Sequence, residues 1–136
     1  MGDDTPMTLF TLTERAMSAQ LVRMNAATSN LANAGSVATR EQDAYKPIRA
    51  VFEAELDRAS GLSGVSSGGL VRSREEATKR YDPGHPLADE TGHIYEANVD
   101  ESAEMVELME SARQYQNLVQ ALQTAKQLML ETLRSE

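Results

Sequence analysis

The chain has 136 residues, enough for one ordinary domain, but only 4% are aromatic, none is Trp, and the apolar residues collect at the two ends. Its net charge of −8 argues against a nucleic-acid partner, which needs Lys and Arg in excess, and against direct binding to an anionic lipid surface. With no Cys there is no disulfide framework, thiol nucleophile or thiolate metal site, and no apolar run approaches the roughly 20 residues of a membrane span.

Asp3 and Asp4 put acid where a secretory leader carries its basic segment, so a cleaved signal peptide is not expected. Thr5-Pro6 and Thr8 are equally good starts for a first helix running from about Met7 to Ala34. Phe10, Met17, Leu21, Met24, Thr28 and Leu31 fall on a heptad seam, with Glu14 where an apolar residue belongs. Gly35 is expected to close the helix in the left-handed conformation.

Residues 36–45 are polar and without period, which predicts a loop. Tyr45 to Phe52 fits a short strand after Pro47, the alternative being a helix running into Glu55 and Leu56. Ser60 to Gly69 is rich in Gly and Ser and reads as a linker or a mobile hairpin tip. Leu70 to Ser73 and Lys79 to Tyr81 are expected to pair as short strands. Tyr81-Asp82-Pro83-Gly84-His85-Pro86 is a strong turn signal, Asp89 to Gly92 a second turn, and His93 to Tyr95 a last short strand.

Asn98 stands three residues before Glu101 in a capping-box spacing, and Asp100, Glu101 and Glu104 place negative charge at a helix start. From there Met105, Leu108, Ala112, Tyr115, Val119, Leu122, Lys126, Met129 and Leu133 keep one heptad seam, which only Lys126 breaks. Leu118, Ala121, Ala125 and Leu128 form a second apolar row beside it. Gln116, Gln120, Gln123 and Gln127 line the other flank, either as a solvated face or as amides bonding across a contact. So much apolar surface exceeds what one partner helix covers and marks an assembly interface.

No nucleophile elbow, phosphate-cradling glycine loop or paired-histidine zinc motif is present. His85 and His93 lie near Asp82, Asp89 and Glu90, but two histidines in a turn-rich loop read as solvated rather than as a metal or acid–base site. Met105 and Met109 have no neighbouring His or Cys, and read as packing residues. No catalytic, cofactor or metal site is expected.

Ser18 to Asn25, followed by Ser29-Asn30-Leu31-Ala32-Asn33, resembles the N-terminal signature of bacterial flagellar rod and hook axial proteins. Tyr81 to Asp89, then Gly92, Tyr95, Asn98-Val99-Asp100, Glu104-Met105-Val106 and Thr124-Ala125-Lys126, is similar to proximal-rod members of that family. After Asn33 the family usually continues with an Asn-Thr turn, where this chain has Ala34-Gly35-Ser36. The resemblance implies a non-enzymatic structural subunit of the proximal rod, part of the drive shaft for motility. It would be exported without a cleaved leader into the periplasmic space of the basal body. Its partners would be other proximal and distal rod proteins, the inner-membrane ring junction protein and copies of itself.

The expected fold is mainly α: two long terminal helices in an antiparallel, coiled-coil-like hairpin around an irregular β-hairpin and loop segment. Residues 1–35 and 98–136 are the assembly helices, and 36–97 the variable segment. Met17, Leu21, Met24, Leu31, Met105, Leu108, Tyr115, Val119, Leu122 and Met129 are the candidate interface residues. Ser29, Asn30, Asn33 and the Tyr81–Pro86 segment are the candidate motif residues, with Asn30 and Asn33 fixing the helix exit. A cytoplasmic helical-hairpin adaptor or chaperone gripping one partner helix is the competing reading.

Overall fold

Thr8 opens the first helix: its Oγ1 accepts from the Thr11 N–H at 3.1 Å, supplying an acceptor that the first turn lacks. The computed structural model describes residues 8–57 and 61–135, so Thr5-Pro6, the other candidate start, lies outside the described residues. Helix α1 covers Leu9–Ala32. It does not end on a left-handed glycine, because the positive-φ glycines among the described residues are Gly61, Gly69 and Gly92. Instead the Asn33 side-chain amide and backbone N–H both reach the Ser29 carbonyl, at 2.9 and 3.1 Å, and the Ala34 N–H takes the Leu31 carbonyl at 3.2 Å. With those carbonyls satisfied, Gly35 has no closing role, which corrects the sequence expectation.

The polar stretch after α1 holds a two-residue strand, β1 (Val37–Ala38), and one turn of 3-10 helix at Glu41–Asp43. Strand β2 (Ile48–Asp57) pairs antiparallel with β3 (Leu62–Arg72) along its length. Tyr45 to Phe52 therefore leads into a strand and not a helix. Two expectations fail here. Most of the Gly/Ser stretch is a strand rather than a linker, and Leu70 to Arg72 pair with Ile48 to Ala50 instead of with Lys79 to Tyr81. The ladder explains both, since β2 satisfies the backbone groups of its neighbour whatever side chains that neighbour carries. A register shift between Val51 and Phe52 accommodates the glycines: Gly69 has φ 95°, and a Cβ on Gly68 would lie 3.1 Å from the Val51 carbonyl oxygen.

Strands β4 (Thr78–Tyr81) and β5 (His93–Glu96) pair antiparallel, and β1 adds to the other edge of β5, giving the order β1-β5-β4. Asp100 rather than Asn98 then caps the second helix, its Oδ1 accepting from the Ala103 N–H at 3.1 Å. Asn98 is engaged elsewhere, donating to Glu75 Oε2 at 3.2 Å and to the Glu76 carbonyl at 3.3 Å. Helix α2 runs over Glu101–Arg134, 34 residues, or about 50 Å at 1.5 Å per residue.

The buried apolar residues among those described are Ala19, Ala26, Ala27, Ala44, Ala77, Ala97 and Ile94, with Asn30, Glu104 and Ser111 as buried polar partners. Alanines let elements approach closely but bury little apolar area each. The large apolar side chains of the helices stay at least partly outside this core, which is where a function in assembly begins.

Candidate functional site

The helices α1 and α2 pack side by side and run in opposite directions. Ala26 and Ala27 share a cleft with Glu104, Met17 and Leu21 share a groove with Tyr115 and Leu122, and Phe10 meets Leu122 and Met129. Arg23 bridges them midway. Its Nε donates to Glu107 Oε1 at 2.7 Å, and its Nη1 donates to Gln20 Oε1 at 2.8 Å. Glu104, almost wholly buried, is held by Arg49 of β2 through an Nη2–Oε1 contact of 2.5 Å, so the hairpin is fastened to α2 by charge. Ser111, also buried, donates back to the Glu107 carbonyl at 2.7 Å and adds no bulk to the contact.

The hydrogen bond and charge of Arg23 hold the Glu107 carboxyl below the usual glutamate range. A carboxylate with a depressed folded pKa adds stability above its unfolded value, about 4.3, and loses it as the pH falls through the folded value. Glu107→Gln is therefore expected to lower the urea midpoint at pH 7 but not at about pH 2, by well under 1 kcal/mol for so accessible a pair. An equal loss at both pH values would contradict this role.

The Asn30 side chain makes three hydrogen bonds. Its Oδ1 accepts from the Ile48 N–H at 2.9 Å and from the Tyr45 hydroxyl at 2.8 Å, while its Nδ2 donates to the Ile48 carbonyl at 2.9 Å. The amide thus meets Ile48 much as a neighbouring strand would, and joins the end of α1 to the start of β2. Ser29 Oγ lies 2.9 Å from the Tyr45 hydroxyl, and the Arg72 guanidinium sits 5.5 Å from the centre of the Tyr45 ring. Ser29, Asn30, Asn33 and Tyr45 form one joint.

The Tyr81–Pro86 segment is the loop that closes β4 on β5. The Asp82 N–H reaches the Gly92 carbonyl at 2.8 Å, and the His85 N–H reaches the Asp82 carbonyl at 3.1 Å. His85 Nδ1 accepts from the Leu87 N–H at 3.0 Å. Asp89 Oδ1 takes the N–H groups of Thr91 and His93, both at 2.9 Å; these contacts, the His93 amide foremost, hold its carboxyl below the usual range. Gly92 is required by its φ of 81° and by the Tyr81 ring, whose Cε2 would lie 2.9 Å from any Cβ there. Both histidines are occupied in holding this loop, and among the described residues no three His, Asp or Glu side chains converge on a metal-sized site.

The structure brings Met17 and Leu21 together with Tyr115 and Leu122 along a groove of about 430 Å³, and Met129 with Phe10 along one of about 410 Å³. Met24, Leu31, Leu108 and Val119 are half-buried, whereas Met105 is exposed. Sequence reasoning missed the buried strip on which the helices close: Ala19 and Ala26 on α1, Glu104 and Ser111 on α2. Each pair is seven residues apart, and continuing from Ser111 at the same spacing gives Leu118 and Ala125 of the second apolar row. The seven-residue spacing of Ala19 with Ala26 was the available signal on α1. On the outer side Val106 and Met109 are 62% and 67% exposed, and near the end of α2 Leu130 and Leu133 are 56% and 61% exposed. Gln116, Gln120, Gln123 and Gln127 are exposed as well.

Residues 90–135 match a family described as the C-terminal region of the flagellar basal body rod proteins FlgEFG. The flagellar basal-body rod protein FlgC of Salmonella typhimurium is 36% identical over 127 residues, covering 93% of this chain and 95% of that one. The protein of the same name from Escherichia coli O6:H1 is 37% identical over the same shares of both chains. That from Agrobacterium fabrum is 31% identical over 118 residues, 86% of this chain and 85% of its own. Such coverage by rod proteins leaves the cytoplasmic adaptor reading without support.

Proposed function

Because the chain belongs to the flagellar basal-body rod protein FlgC family, we propose that its terminal helices form an antiparallel, coiled-coil-like hairpin whose outer apolar rows are the contacts between neighbouring rod subunits. It is a structural subunit of the flagellar basal body and not an enzyme. What supports this use of the helices is the mismatch between core and surface. The apolar core is built of alanines and Ile94, while Met105, Val106, Met109, Leu130 and Leu133 stand out from α2. Contiguous apolar rows on a protein surface mark sites of interaction with other chains. Heterologous contacts between such faces close rings or propagate helically, and a tube made that way spreads torque over several packed interfaces.

In this reading Met17, Leu21, Met24, Leu31, Leu108, Tyr115, Val119, Leu122 and Met129 hold the hairpin and border its neighbours. The Asn30 joint and the Tyr81–Pro86 loop fix where the β-segment, 36–97, leaves the helices on the outer side of the tube. The partners are other proximal and distal rod proteins, the inner-membrane ring junction protein and further copies of this chain. The subunit reaches the periplasmic space through the flagellar export apparatus. Fractionation with immunodetection of the chain tests this placement. Recovery of the chain with purified basal bodies is expected; a chain confined to the cytosol would overturn the proposal.

A further inference from the structure

The β2–β3 hairpin and the two helices do not close completely on one another. They leave a cleft of about 390 Å³, whose apolar walls include Ala16, Ala19, Ile48 and Phe52 and whose charged groups are Arg23, Arg49, Glu104 and Glu107. The charges cancel in two pairs, Arg23 with Glu107 and Arg49 with Glu104. The pairing is incomplete at one atom: Glu104 Oε2 is buried and has no hydrogen-bond partner. A carboxylate oxygen in that condition costs free energy until a donor reaches it. Donors are spare in the same walls, since Arg49 Nε and Arg23 Nη2 make no hydrogen bond among the described residues.

A group that suits this cleft is neutral, because a further charge would stand unmatched beside two balanced pairs. It must donate to Glu104 Oε2, can accept from a guanidinium, and needs an apolar stem against the alanines. A primary amide on two methylenes meets all three conditions. The chain carries such groups in a row on the exposed flank of α2. Gln116, Gln120 and Gln123 have no side-chain partner among the described residues, while Gln127 donates to Glu131 Oε1 at 3.4 Å. We propose that the cleft is a socket for one glutamine of that row from a neighbouring copy of this chain. The Arg49 side chain, 57% exposed, turns outward to admit the amide, which then donates to Glu104 Oε2. Cleft and row are different surfaces of one chain, so the contact is heterologous and passes from copy to copy. The socket rests on the reading of the chain as a rod subunit, and gives one of its contacts a partner and a chemistry.

The chain has no Cys, so introduced cysteines report without background from the chain itself. Two full-length chains with different epitope tags are expressed together in place of the native one. The first carries Ala16→Cys, on the cleft wall, and the second Gln116→Cys, Gln120→Cys or Gln123→Cys. In isolated basal bodies a short bis-maleimide is expected to join the two tags in a dimer for at least one of the three. Leu70→Cys, outside the cleft, is expected to give no dimer in place of Ala16→Cys. Absence of a dimer at all three positions, in basal bodies that contain both chains, would overturn the socket and leave the rod reading intact. Chains that never reach basal bodies would overturn that reading, and the socket with it. At the position that crosslinks, replacing the glutamine by Glu sets a carboxylate against Glu104 and is expected to slow the growth of swimming rings severalfold. Adding Glu104→Gln exchanges amide and carboxylate, and is expected to restore swimming. A glutamine replacement without effect, or an exchange that fails to restore swimming while circular dichroism shows the helices formed, would overturn the amide–carboxylate contact. The crosslinking needs no change at Glu104, so it decides the matter if that exchange unfolds the chain.

Discussion

Asn30→Ala is expected to destabilise the folded chain by about 3 kcal/mol, measured as a fall in the urea midpoint at constant slope. The side chain is fully buried, and its loss leaves the Ile48 N–H without this acceptor and the Tyr45 hydroxyl without one of its two partners. The Ile48 carbonyl keeps a longer contact, from Arg49 Nη1 at 3.2 Å. Each buried group stripped of its partner costs on the order of 1–3 kcal/mol, which far exceeds the apolar area lost with the amide.

Asn30→Asp separates this account from simple loss of packing. The carboxylate has nearly the same shape, but its second oxygen faces the Ile48 carbonyl with no proton to offer, so only the protonated acid restores the pattern. Its folded pKa must then lie above the unfolded value of about 3.9. The variant is expected to approach the wild type below that pH and to fall away from it as the pH rises through the folded pKa. An Asn30→Asp chain as stable as the wild type at pH 7 would remove the proposed joint.

Leu122→Glu is expected to abolish swimming while leaving export of the chain intact. Leu122 borders both grooves between α1 and α2, and Glu14 lines both of them as well. The substitution replaces an apolar contact by a second carboxylate beside an existing one. Removing the leucine contact and placing a charge there cost about 2–3 kcal/mol together, enough to open this end of the helix pair. Complementation on motility agar, with the chain assayed in the periplasmic and basal-body fractions, reads both halves of the expectation. Normal swimming by this variant would show that the groove does not matter.

The helices were legible because their apolar positions repeat over many turns, and Asp100 and Thr8 show that the ambiguity lay in which cap is used. Asn98 and Asp100 are both good capping residues, and the choice is made by Glu75 and Glu76, which engage Asn98 from 23 and 22 positions upstream. The β3 strand was illegible for a related reason. Gly64, Gly68 and Gly69 lie within it, and what makes it a strand is the pairing with Ile48–Asp57, a long-range effect with no local trace. The apolar seam drew attention to Met and Leu, yet the fully closed part of the helix contact is made by Ala, Ser and Glu104. Burial inside one chain favours close approach, whereas large side chains at half exposure suit contacts with other chains. Asn30 could be placed at a helix end from sequence, but its use as a strand-like partner for Ile48 depends on a chain reversal that no periodicity records.

Coverage of the outer apolar face of α2 by neighbouring subunits in the rod is directly measurable. Single cysteines at Val106 and Met109, introduced one at a time into this cysteine-free chain, read it through their maleimide reactivity in the purified protein and in isolated basal bodies. Reactivity is expected in the free chain and its loss in basal bodies, while a cysteine at Leu70, on the exposed hairpin, stays reactive in both. Equal labelling of the two helix positions in the two preparations would contradict this use of the helix.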